Sequence, residues 1–450
     1  MLDAFLAPPR TIEPHYSLAD PTAIPLYAGP LVYPPHQGMP AEQADGSVSL
    51  RLEPPLQVLI HGALTRHGGL NEFFEGPRVP QVPAMITVPD APTALSEAGD
   101  ASWRGPVGGC VVGKAAAVRR VTFHLANFRQ MLGNFITDNG VRAWSGRIVL
   151  NVEPWVLTID ARPDLKEILQ AAGKRGGYAV THTCSLERRD GRLFAFARCQ
   201  ELLTCLTWCL WLCRGARPAV LLPVGFDSNG CAMWARWAAP RIDPLPYNHW
   251  QWFDEAYGAA QLAELLPLFL QKYSDPLWRR RLVLAIETYA DAATGTLQRN
   301  VLLAQVGLEA LAFTHLVPST GQLTANQFKH QAVSNHIRAF LKDFGIPRTI
   351  PRTYYALRHI RAGSPWDGPA AIAWLRNDIV HGPRHRVHPG RWKVAYQGWQ
   401  LALWYLELAV LAVVGYQGPY RNRLTGEAHE GAVEPVPWAV CLLQDGRLSP

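Results

Sequence analysis

The sequence predicts an α+β protein, in which an amino-terminal β-rich module precedes a carboxy-terminal all-α helical bundle. Three observations lead to this prediction. Before residue 255, apolar and polar residues alternate over short runs, which is the period of half-buried strands. After residue 256, apolar residues recur every three to four positions, which is the period of amphipathic helices. Apolar residues make up 48% of the 450 residues, enough for the cores of two or three domains.

Residues 1–115 are predicted to form an irregular region rich in turns and strands. Sixteen of the 37 prolines lie in the first 92 residues, and proline interrupts both helices and central strands. Short apolar runs between the prolines, such as residues 56–60, predict individual strands. Prolines also interrupt the apolar run at the amino terminus before it reaches the length of a secretion signal, so an intracellular protein is expected.

Residues 116–255 are predicted to form a second β-rich module. A short helix at residues 165–172 is expected to end at Gly173, and Asp190-Gly191 predicts a hairpin turn into a further strand. Because His182 alternates with apolar neighbours, we interpret it as a buried, hydrogen-bonded histidine rather than a catalytic one. The alternating apolar positions are Ile148, Leu150 and Val152, then Trp155, Leu157 and Ile159, and then Tyr178, Val180, Cys184 and Leu186.

Four of the eight cysteines lie close together, at positions 199, 205, 209 and 213, in an apolar stretch that predicts a buried helix. Cys205, Cys209 and Cys213 are spaced four residues apart and share one helical face. Thiolate ligands of zinc normally come as two close pairs that are well separated along the chain, and this spacing is not seen here. We interpret the cysteines as reduced core residues, which predicts no metal site and a cytoplasmic location.

Residues 256–418 are predicted to form the helical bundle. Helices are expected over residues 262–270, in two stretches between residues 275 and 317, over residues 326–344 and over residues 399–416. The last of these is strongly apolar but contains Glu407, so we interpret it as a core helix rather than a membrane span. The second helix of the pair has a stripe of apolar residues at Leu297, Val301, Ala304, Leu308 and Leu311.

The heptapeptide at residues 376–382 places an arginine and a histidine five residues apart at the end of a predicted helix. A neutral His381 imidazole can take the proton of a ribose 2′-OH, and the Arg376 guanidinium can hold the charge that builds up on the phosphate. In an ideal helix these two side chains lie roughly 140° apart, whereas Asn377 and His381 share a face. Either Arg376 reaches round the helix or two copies of the motif meet across a symmetric dimer, and we favour the dimer.

The stretch Leu-Arg-Asn-Asp-Ile-Val-His at residues 375–381 resembles the motif helix of the HEPN superfamily (higher eukaryotes and prokaryotes nucleotide-binding), in particular its ApeA-like branch. The residues before it supply a helix start, with Asp367 or its neighbour as the N-cap and Pro369 in the first turn. Members of this superfamily are four- to five-helix bundles that usually dimerise, and many are endoribonucleases. The resemblance therefore implies a homodimer that acts on RNA.

The same resemblance implies a role for each residue of the motif. His381 serves as general base and acid, Arg376 stabilises the pentavalent phosphate, and Asn377 orients the 2′-OH or a phosphate oxygen. The implied enzyme is a metal-independent endoribonuclease that needs no cofactor and leaves 2′,3′-cyclic phosphate ends. The alternative is a non-catalytic HEPN module that dimerises for binding or sensing, in which Arg376 pairs with a buried acid such as Glu309.

The β-rich block at residues 116–255 resembles, more loosely, the module that precedes the HEPN domain in ApeA-like and YopA-like proteins. The resemblance implies that this module senses or binds a partner, such as a phage-derived trigger. It also implies that the whole protein is a bacterial antiphage or abortive-infection effector in the cytoplasm. No membrane partner is expected.

Basic residues are concentrated around the motif. The net charge of the chain is +7, and residues 351–393 carry eight Lys or Arg against two Asp. A basic surface of this kind captures RNA phosphates, and we predict contacts from Arg384 and Arg386 and, in the closing segment 419–450, from Arg421 and Arg423. The alternatives are a solvated face balanced by acidic surface elsewhere, and a closing segment that is only a structural lid. No exposed alternation of aromatic and basic residues is expected, so single-stranded RNA is not specified.

Overall fold

The computed structural model describes most of the chain and divides it into two compact units. The first unit contains Met1–Leu203 and Pro218–Pro246, and the second contains Thr204–Arg217 and Tyr247–Pro450. The division at residues 115, 255 and 418 that the sequence suggests remains an interpretation of the sequence. The residues described are 8–33, 42–63, 85–86, 96–98, 102–107, 109–114, 116–138, 140–247, 250–360, 366–381, 391–426 and 429–439.

Two antiparallel sheets form the framework of the first unit, and buried apolar residues of both, among them Leu50, Leu221 and Trp237, share one core. The smaller sheet has the strand order β1 (Ala23–Tyr33), β2 (Glu42–Arg51), β3 (Gln57–Ala63), β6 (Ser102–Val107) and β5 (Ser96–Ala98). The larger sheet has the order β4 (Met85–Ile86), β7 (Cys110–Gly113), β14 (Ala232–Trp237), β13 (Ala219–Phe226), β8 (Arg120–Ala126), β12 (Val180–Arg188), β11 (Trp155–Ala161), β10 (Arg142–Val152) and β9 (Asn134–Asp138).

The alternating strands that the sequence predicts are confirmed in the larger sheet. The predicted apolar positions of β10, β11 and β12 are buried, and their polar neighbours lie on the opposite face. His182 on β12 is also buried, and its Nδ1 atom lies 2.9 Å from the hydroxyl oxygen of Thr181. The interpretation of His182 as a hydrogen-bonded core residue is therefore confirmed.

The segment after the predicted hairpin turn differs from the expectation. Gly191 does adopt a left-handed conformation, with φ at 70°. The chain then enters helix α2 (Phe196–Arg214) instead of a strand. Phe194 makes a single bridge to Val118, and the apolar residues that follow repeat at helical rather than alternating spacing. The prediction of a strand was wrong because its short apolar run fits both patterns.

Both segments predicted to be helical in this part of the chain are helices, but their first and last residues differ from the prediction. Helix α1 (Leu165–Arg175) continues past Gly173, because the residue that leaves the helical conformation is Gly176, with φ at 69°. Helix α2 is longer than its apolar centre suggested. Its four cysteines are all buried, which confirms that they are core residues: Cys199, Cys205, Cys209 and Cys213.

Helices make up most of the second unit, and α5 is the central one because it packs against α4, α7, α9 and α10. A π-helical turn, His315–Ser319, extends α5. The helices are α3 (Gly258–Ser274), α4 (Pro276–Thr294), α5 (Leu297–Thr314), α6 (Ala325–His330), α7 (Val333–Asp343), α8 (Tyr355–Arg358), α9 (Gly368–His381) and α10 (Arg391–Val414). After α10, the short strands β15 (Pro419–Tyr420) and β16 (Glu434–Pro435) pair with each other. The α+β class predicted from the sequence is confirmed.

The predicted helices of this unit are present, with one division. The apolar stripe of α5 is confirmed, since Val301, Ala304, Leu308 and Leu311 are fully buried. The single helix expected over residues 326–344 is two helices, α6 and α7, because the backbone between them is extended. Helix α10 begins at Arg391, eight residues before the predicted start, since exposed residues in its first turns hide the apolar period.

Within the described part of the chain, two helical stretches are long and apolar enough to cross a membrane by length and composition alone. These are Leu297–Ser319 and Trp392–Val414, and 50% and 89% respectively of an 18-residue apolar window in each is buried inside the protein. A core helix of a soluble protein passes the same test. The burial of the second stretch is consistent with the interpretation of the Glu407 helix as part of a core.

Candidate active site

The motif helix α9 has a well-defined start. The carboxylate of Asp367 accepts a hydrogen bond from the backbone N–H of Ala370 at 3.0 Å, which confirms the predicted N-cap. The same carboxylate accepts two hydrogen bonds from Arg338, at 2.7 and 3.0 Å. At Gly368 a Cβ atom would lie 2.0 Å from the hydroxyl oxygen of Tyr405, so only glycine allows this close packing. The beginning of the helix is therefore fixed to its neighbours on α7 and α10.

The other end of α9 presents the motif. The apolar side of the helix faces the bundle through Ala371, Ile372 and Leu375, which are buried. Asn377 and His381 are exposed, and Arg376 is partly buried. One terminal nitrogen of Arg376 donates to the side-chain oxygen of Asn377 at 3.1 Å. The structure thus brings Arg376 and Asn377 together, and His381 lies one helical turn beyond Asn377.

The specific ion pair suggested for a purely structural Arg376 is not formed. Within the described part of the chain, Arg376 has no carboxylate within ion-pair distance. Glu309 instead accepts a hydrogen bond from Gln305 at 2.7 Å, within α5. The guanidinium of Arg376 therefore has donor capacity that its contact with Asn377 does not use.

The four arginines predicted to contact substrate have different outcomes. Arg384 and Arg386 lie outside the described residues. Arg421 is only 2% exposed and forms ion pairs with Asp254 and with Glu430. Burial by itself would raise the pKa of Asp254, but the hydrogen bond and charge of Arg421 hold this pKa below its usual range. Arg421 is therefore engaged in a buried ion pair.

Arg423 belongs to a second buried cluster. Its Nε donates to Glu407 at 2.8 Å and one of its terminal nitrogens donates to the backbone oxygen of Trp250 at 2.7 Å. The hydroxyl of Tyr289 donates to the same carboxylate, and burial together with the charge of Glu407 raises the pKa of Tyr289 well above its usual range. The expectation that Arg421 and Arg423 contact RNA is corrected, because both hold the closing segment to the bundle as a structural lid would.

An exposed group of aromatic and basic residues was missed by the sequence analysis. Tyr355 on α8 and Trp392 and Tyr396 on α10 are 53%, 64% and 45% exposed. The Nζ of Lys393 donates to the hydroxyl of Tyr355 at 3.1 Å and lies 5.8 Å from the centroids of the Tyr355 and Trp392 rings. We call Tyr355, Trp392 and Tyr396 the aromatic patch. The expectation that no such pattern is exposed was wrong, and the signal was the run Arg-Trp-Lys at residues 391–393.

His330 and His336 lie six residues apart in the sequence, a spacing that does not suit a shared metal ion on one helix. His336 is buried and stacks on Phe328, with ring centroids 3.7 Å apart, whereas His330 is exposed on α6. Among the residues that the structure describes, no group of three or more His, Cys, Asp or Glu side chains is arranged to hold a metal ion.

Two family models match this chain, one for each of its main parts. Residues 113–248 match the YopA central domain, and residues 275–434 match the YopA C-terminal domain. The chain matches both YopA domain families. It is also 29% identical over 414 residues to the SPbeta prophage-derived uncharacterized protein YopA of Bacillus subtilis (strain 168). The aligned region covers 87% of this chain and 90% of that protein. No solved structure matches the chain.

The YopA matches coincide with the structural features described above. The central-domain match contains strands β8 to β14, and the C-terminal match contains helices α4 to α10 together with the motif at the end of α9. The resemblance to YopA-like proteins stated from the sequence is thereby supported. The wider resemblance of the C-terminal part to the HEPN superfamily remains a prediction.

Proposed function

We propose that this protein is a metal-independent endoribonuclease of the HEPN type, with Arg376, Asn377 and His381 as its catalytic residues. The observation that carries the proposal is the state of Arg376. It lies beside Asn377 near the exposed end of a firmly capped helix, and within the described chain no carboxylate neutralises it. A scaffold helix has no need of an unneutralised arginine and an exposed histidine in this arrangement.

The proposed reaction uses the neighbouring ribose oxygen as its nucleophile. His381 takes the proton of the 2′-OH, and the 2′ oxygen forms a bond to phosphorus. Arg376 stabilises the charge on the non-bridging oxygens while the bond between phosphorus and the 5′ oxygen breaks. The 5′ oxygen leaves with a proton from the imidazolium. The products are a 2′,3′-cyclic phosphate and a 5′-hydroxyl, and no metal or cofactor takes part.

The active form is proposed to be a homodimer of the helical unit. Arg376 and His381 lie roughly 140° apart on an ideal helix, so two motifs facing each other supply both groups to one phosphate more readily than one motif does. Val306 on α5 and Val380 on α9 are 48% and 49% exposed. Val380 directly precedes His381 on the motif helix, so an apolar side chain is available there to a contact between two motifs.

The proposed biological role is that of a bacterial antiphage or abortive-infection effector in the cytoplasm. The β-rich first unit would then respond to a phage-derived trigger. The relative in Bacillus subtilis is described as derived from a prophage, which supports a function in conflicts that involve phages. The exposed aromatic patch supports RNA as the substrate, because bases stack on such side chains.

The test is a cleavage assay on total cellular RNA in the presence of EDTA. Wild-type protein is compared with Arg376→Ala, with His381→Ala and with His330→Ala, which replaces an exposed histidine outside the motif. We expect cyclic phosphate ends from the wild type and from His330→Ala, and a loss of cleavage of at least about 100-fold in the other two. Loss of wild-type cleavage in EDTA would overturn the metal-free mechanism.

Inactivity of all four proteins leads to a second experiment. The wild type and His381→Ala are then expressed in cells during phage infection, where the proposed trigger is present. Growth arrest that depends on His381 supports the triggered nuclease. Identical behaviour of the two proteins would identify the helical unit as a non-catalytic dimeric binding or sensing module.

A further inference from the structure

We propose that the first unit contains a binding site for a small zwitterion, either a free amino acid or a short peptide. The site is a cleft of about 420 Å³ on one face of the nine-stranded sheet. This volume lies within the range of small-molecule sites, roughly 300–1,000 Å³. The proposal does not depend on the nuclease activity, since every residue that carries it lies in the first unit.

The floor of the cleft is a row of hydroxyl groups across three neighbouring strands. Thr122 on β8 lies directly opposite Ser185 on β12, and Ser185 lies directly opposite Thr158 on β11. Residues opposite each other in neighbouring strands share a face and have Cβ atoms about 5 Å apart. The three hydroxyls therefore form a line across the sheet, at positions where a core sheet would present apolar side chains.

The residues that carry these hydroxyls are largely buried, but their oxygens remain accessible from the cleft. Thr122 is 5% exposed and Ser185 is 9% exposed. None of the three hydroxyls has a hydrogen-bond partner among the residues that the structure describes, although they line the cleft. Each of these hydroxyls is therefore free to hydrogen-bond to water or to a ligand in the cleft. Polar groups of this kind mark a place where water or a polar ligand completes the hydrogen bonds.

One wall of the cleft is the amino-terminal strap, residues 9–13, which is firmly attached to the sheet. Asp160 accepts the backbone N–H of Ile12 at 2.7 Å and is itself paired with Arg147 at 2.6 Å. The backbone oxygen of Thr137 accepts a hydrogen bond from the N–H of Thr11, and the N–H of Thr137 donates to the backbone oxygen of Pro9, both at 3.0 Å. The wall is therefore preformed, which reduces the entropy lost when a ligand binds.

The charges at the rim indicate the class of ligand. Arg120 and Glu187 are opposite each other on β8 and β12, yet in the described structure they form no ion pair. Arg120 instead lies over the ring of Phe226 at 5.3 Å. Glu13 from the strap also lines the cleft without an ion-pair partner among the described residues. One guanidinium is thus available for a carboxylate, and two carboxylates are available for an ammonium group.

A zwitterion fits this arrangement better than other small polar molecules. A sugar leaves the three rim charges unpaired, and inorganic phosphate is repelled by Glu13 and Glu187. The carboxylate of an amino acid meets Arg120, its ammonium group meets the acidic pair, and the hydroxyl row completes the remaining hydrogen bonds. Free amino acids and short peptides share this chemistry and differ in the distance between the two charged groups.

The test measures binding to the full-length protein. Thermal unfolding is followed with each of the common amino acids and with glycine-containing dipeptides, and every hit is titrated by calorimetry. Glucose and inorganic phosphate are the reference probes. We expect at least one amino acid or dipeptide to raise Tm and to bind saturably. Whichever of the two classes binds with the higher affinity is the class of ligand for this site. The proposal is overturned when neither group binds, or when only glucose or phosphate does.

Variants locate the site. Arg120→Ala and Ser185→Ala are expected to weaken binding about tenfold or more, because each removes a contact to a charged group. Arg192→Ala, which removes another exposed arginine of the same unit, should bind like the wild type. Arg120 is exposed, so its replacement leaves the fold intact. Equal affinity of all three variants would place the ligand elsewhere and would overturn the assignment.

Discussion

At the scale of the single residue, Glu407 determines how the closing segment is held. It is completely buried in α10 and interacts with both Arg423 and Tyr289. An isolated carboxylate in this position would be very unfavourable, whereas a paired and hydrogen-bonded one is tolerated. The residues after α10 therefore supply a charge that the core of the bundle requires.

Replacement of Arg423 is expected to destabilise the protein. Arg423→Met leaves the charge of Glu407 without its partner, which costs about 3–5 kcal/mol for a buried pair. Chemical denaturation, followed by the fluorescence of the bundle tryptophans, measures the loss. Arg376→Ala serves as the control and should change stability by less than about 1 kcal/mol. If Arg423→Met kept full stability and lost RNA binding, the original substrate assignment would be restored.

Single residues were predictable from the sequence where the cause is local. The cap at Asp367 and the buried state of His182 follow from their immediate neighbours, and both are confirmed. The roles of Arg421 and Arg423 were not predictable, because their partners Asp254 and Glu407 are contributed by distant segments. A basic residue near a basic motif suggests an RNA contact until the buried acid that faces it is known.

At the scale of the element, α9 depends on one carboxylate at its start. Asp367 caps the helix and also holds Arg338 of α7, so one side chain fixes both the end of the helix and its position in the bundle. The exposed motif lies at the opposite end of the same 14-residue helix. The direction in which Arg376 and His381 point is set by the packing of the whole helix.

We expect Asp367→Ala to lower the free energy of unfolding by about 1–3 kcal/mol, through the lost cap and the unpaired Arg338. Asp367→Asn keeps a capping side chain and loses only the charge, so its effect should be smaller. Equilibrium urea unfolding measures both, and the RNA cleavage assay shows whether activity falls in the same order. Equal stability of the two variants would mean that the cap contributes little and that the ion pair dominates.

The limits of the elements show where periodicity is insufficient. Residues 326–344 have a continuous helical pattern, yet the chain is extended at Gln331 and Ala332. The interruption allows His336 to stack on Phe328, a tertiary contact that no local pattern encodes. The early start of α10 was hidden for a related reason, since Trp392 and Tyr396 are exposed where the helical period requires no apolar residue.

At the scale of the whole molecule, the first unit is expected to lose stability in mild acid. Burial lowers the pKa of His182 to about 3 and that of His124 to about 4, whereas an unfolded histidine titrates near 6.5. The unfolded chain therefore binds protons that the folded chain does not. This contribution to stability is complete above about pH 6.5 and is lost as the pH falls towards 4 and then 3.

The thermal unfolding of the full chain at pH 7 and pH 5 measures this effect. When the pH falls from 7 to 5, we expect each buried histidine to lower the free energy of unfolding by about 2 kcal/mol. Replacing both, in His124→Asn/His182→Asn, should reduce the dependence of Tm on pH even where the variant is less stable at pH 7. His330→Asn replaces an exposed histidine and should keep the full dependence. An unchanged dependence in the double variant would show that other groups cause the acid sensitivity.

The fold class of the whole molecule followed from composition and periodicity, but the order of the strands did not. Alternation of apolar and polar residues predicts strands such as β10 and β11, whereas the neighbour of each strand is selected by packing over long distances. The position of the strap is of the same kind, because it depends on Asp160 and on the backbone of Thr137, which lie far from the strap in the sequence. The proposed zwitterion cleft could not be predicted from the sequence, because segments that are far apart in the chain form it.

The strand order of the larger sheet also has a consequence for folding during synthesis on the ribosome. Strand β8 ends at Ala126, and its neighbour β13 begins only at Ala219. In the nascent chain, both edges of β8 therefore stay unpaired until β12 has been made, and one edge stays unpaired until β13 follows. Bare strand edges attract other chains, and pairings between distant segments form slowly. The larger sheet therefore cannot close before β13 is available, and we expect this late pairing to be the step of folding most open to aggregation.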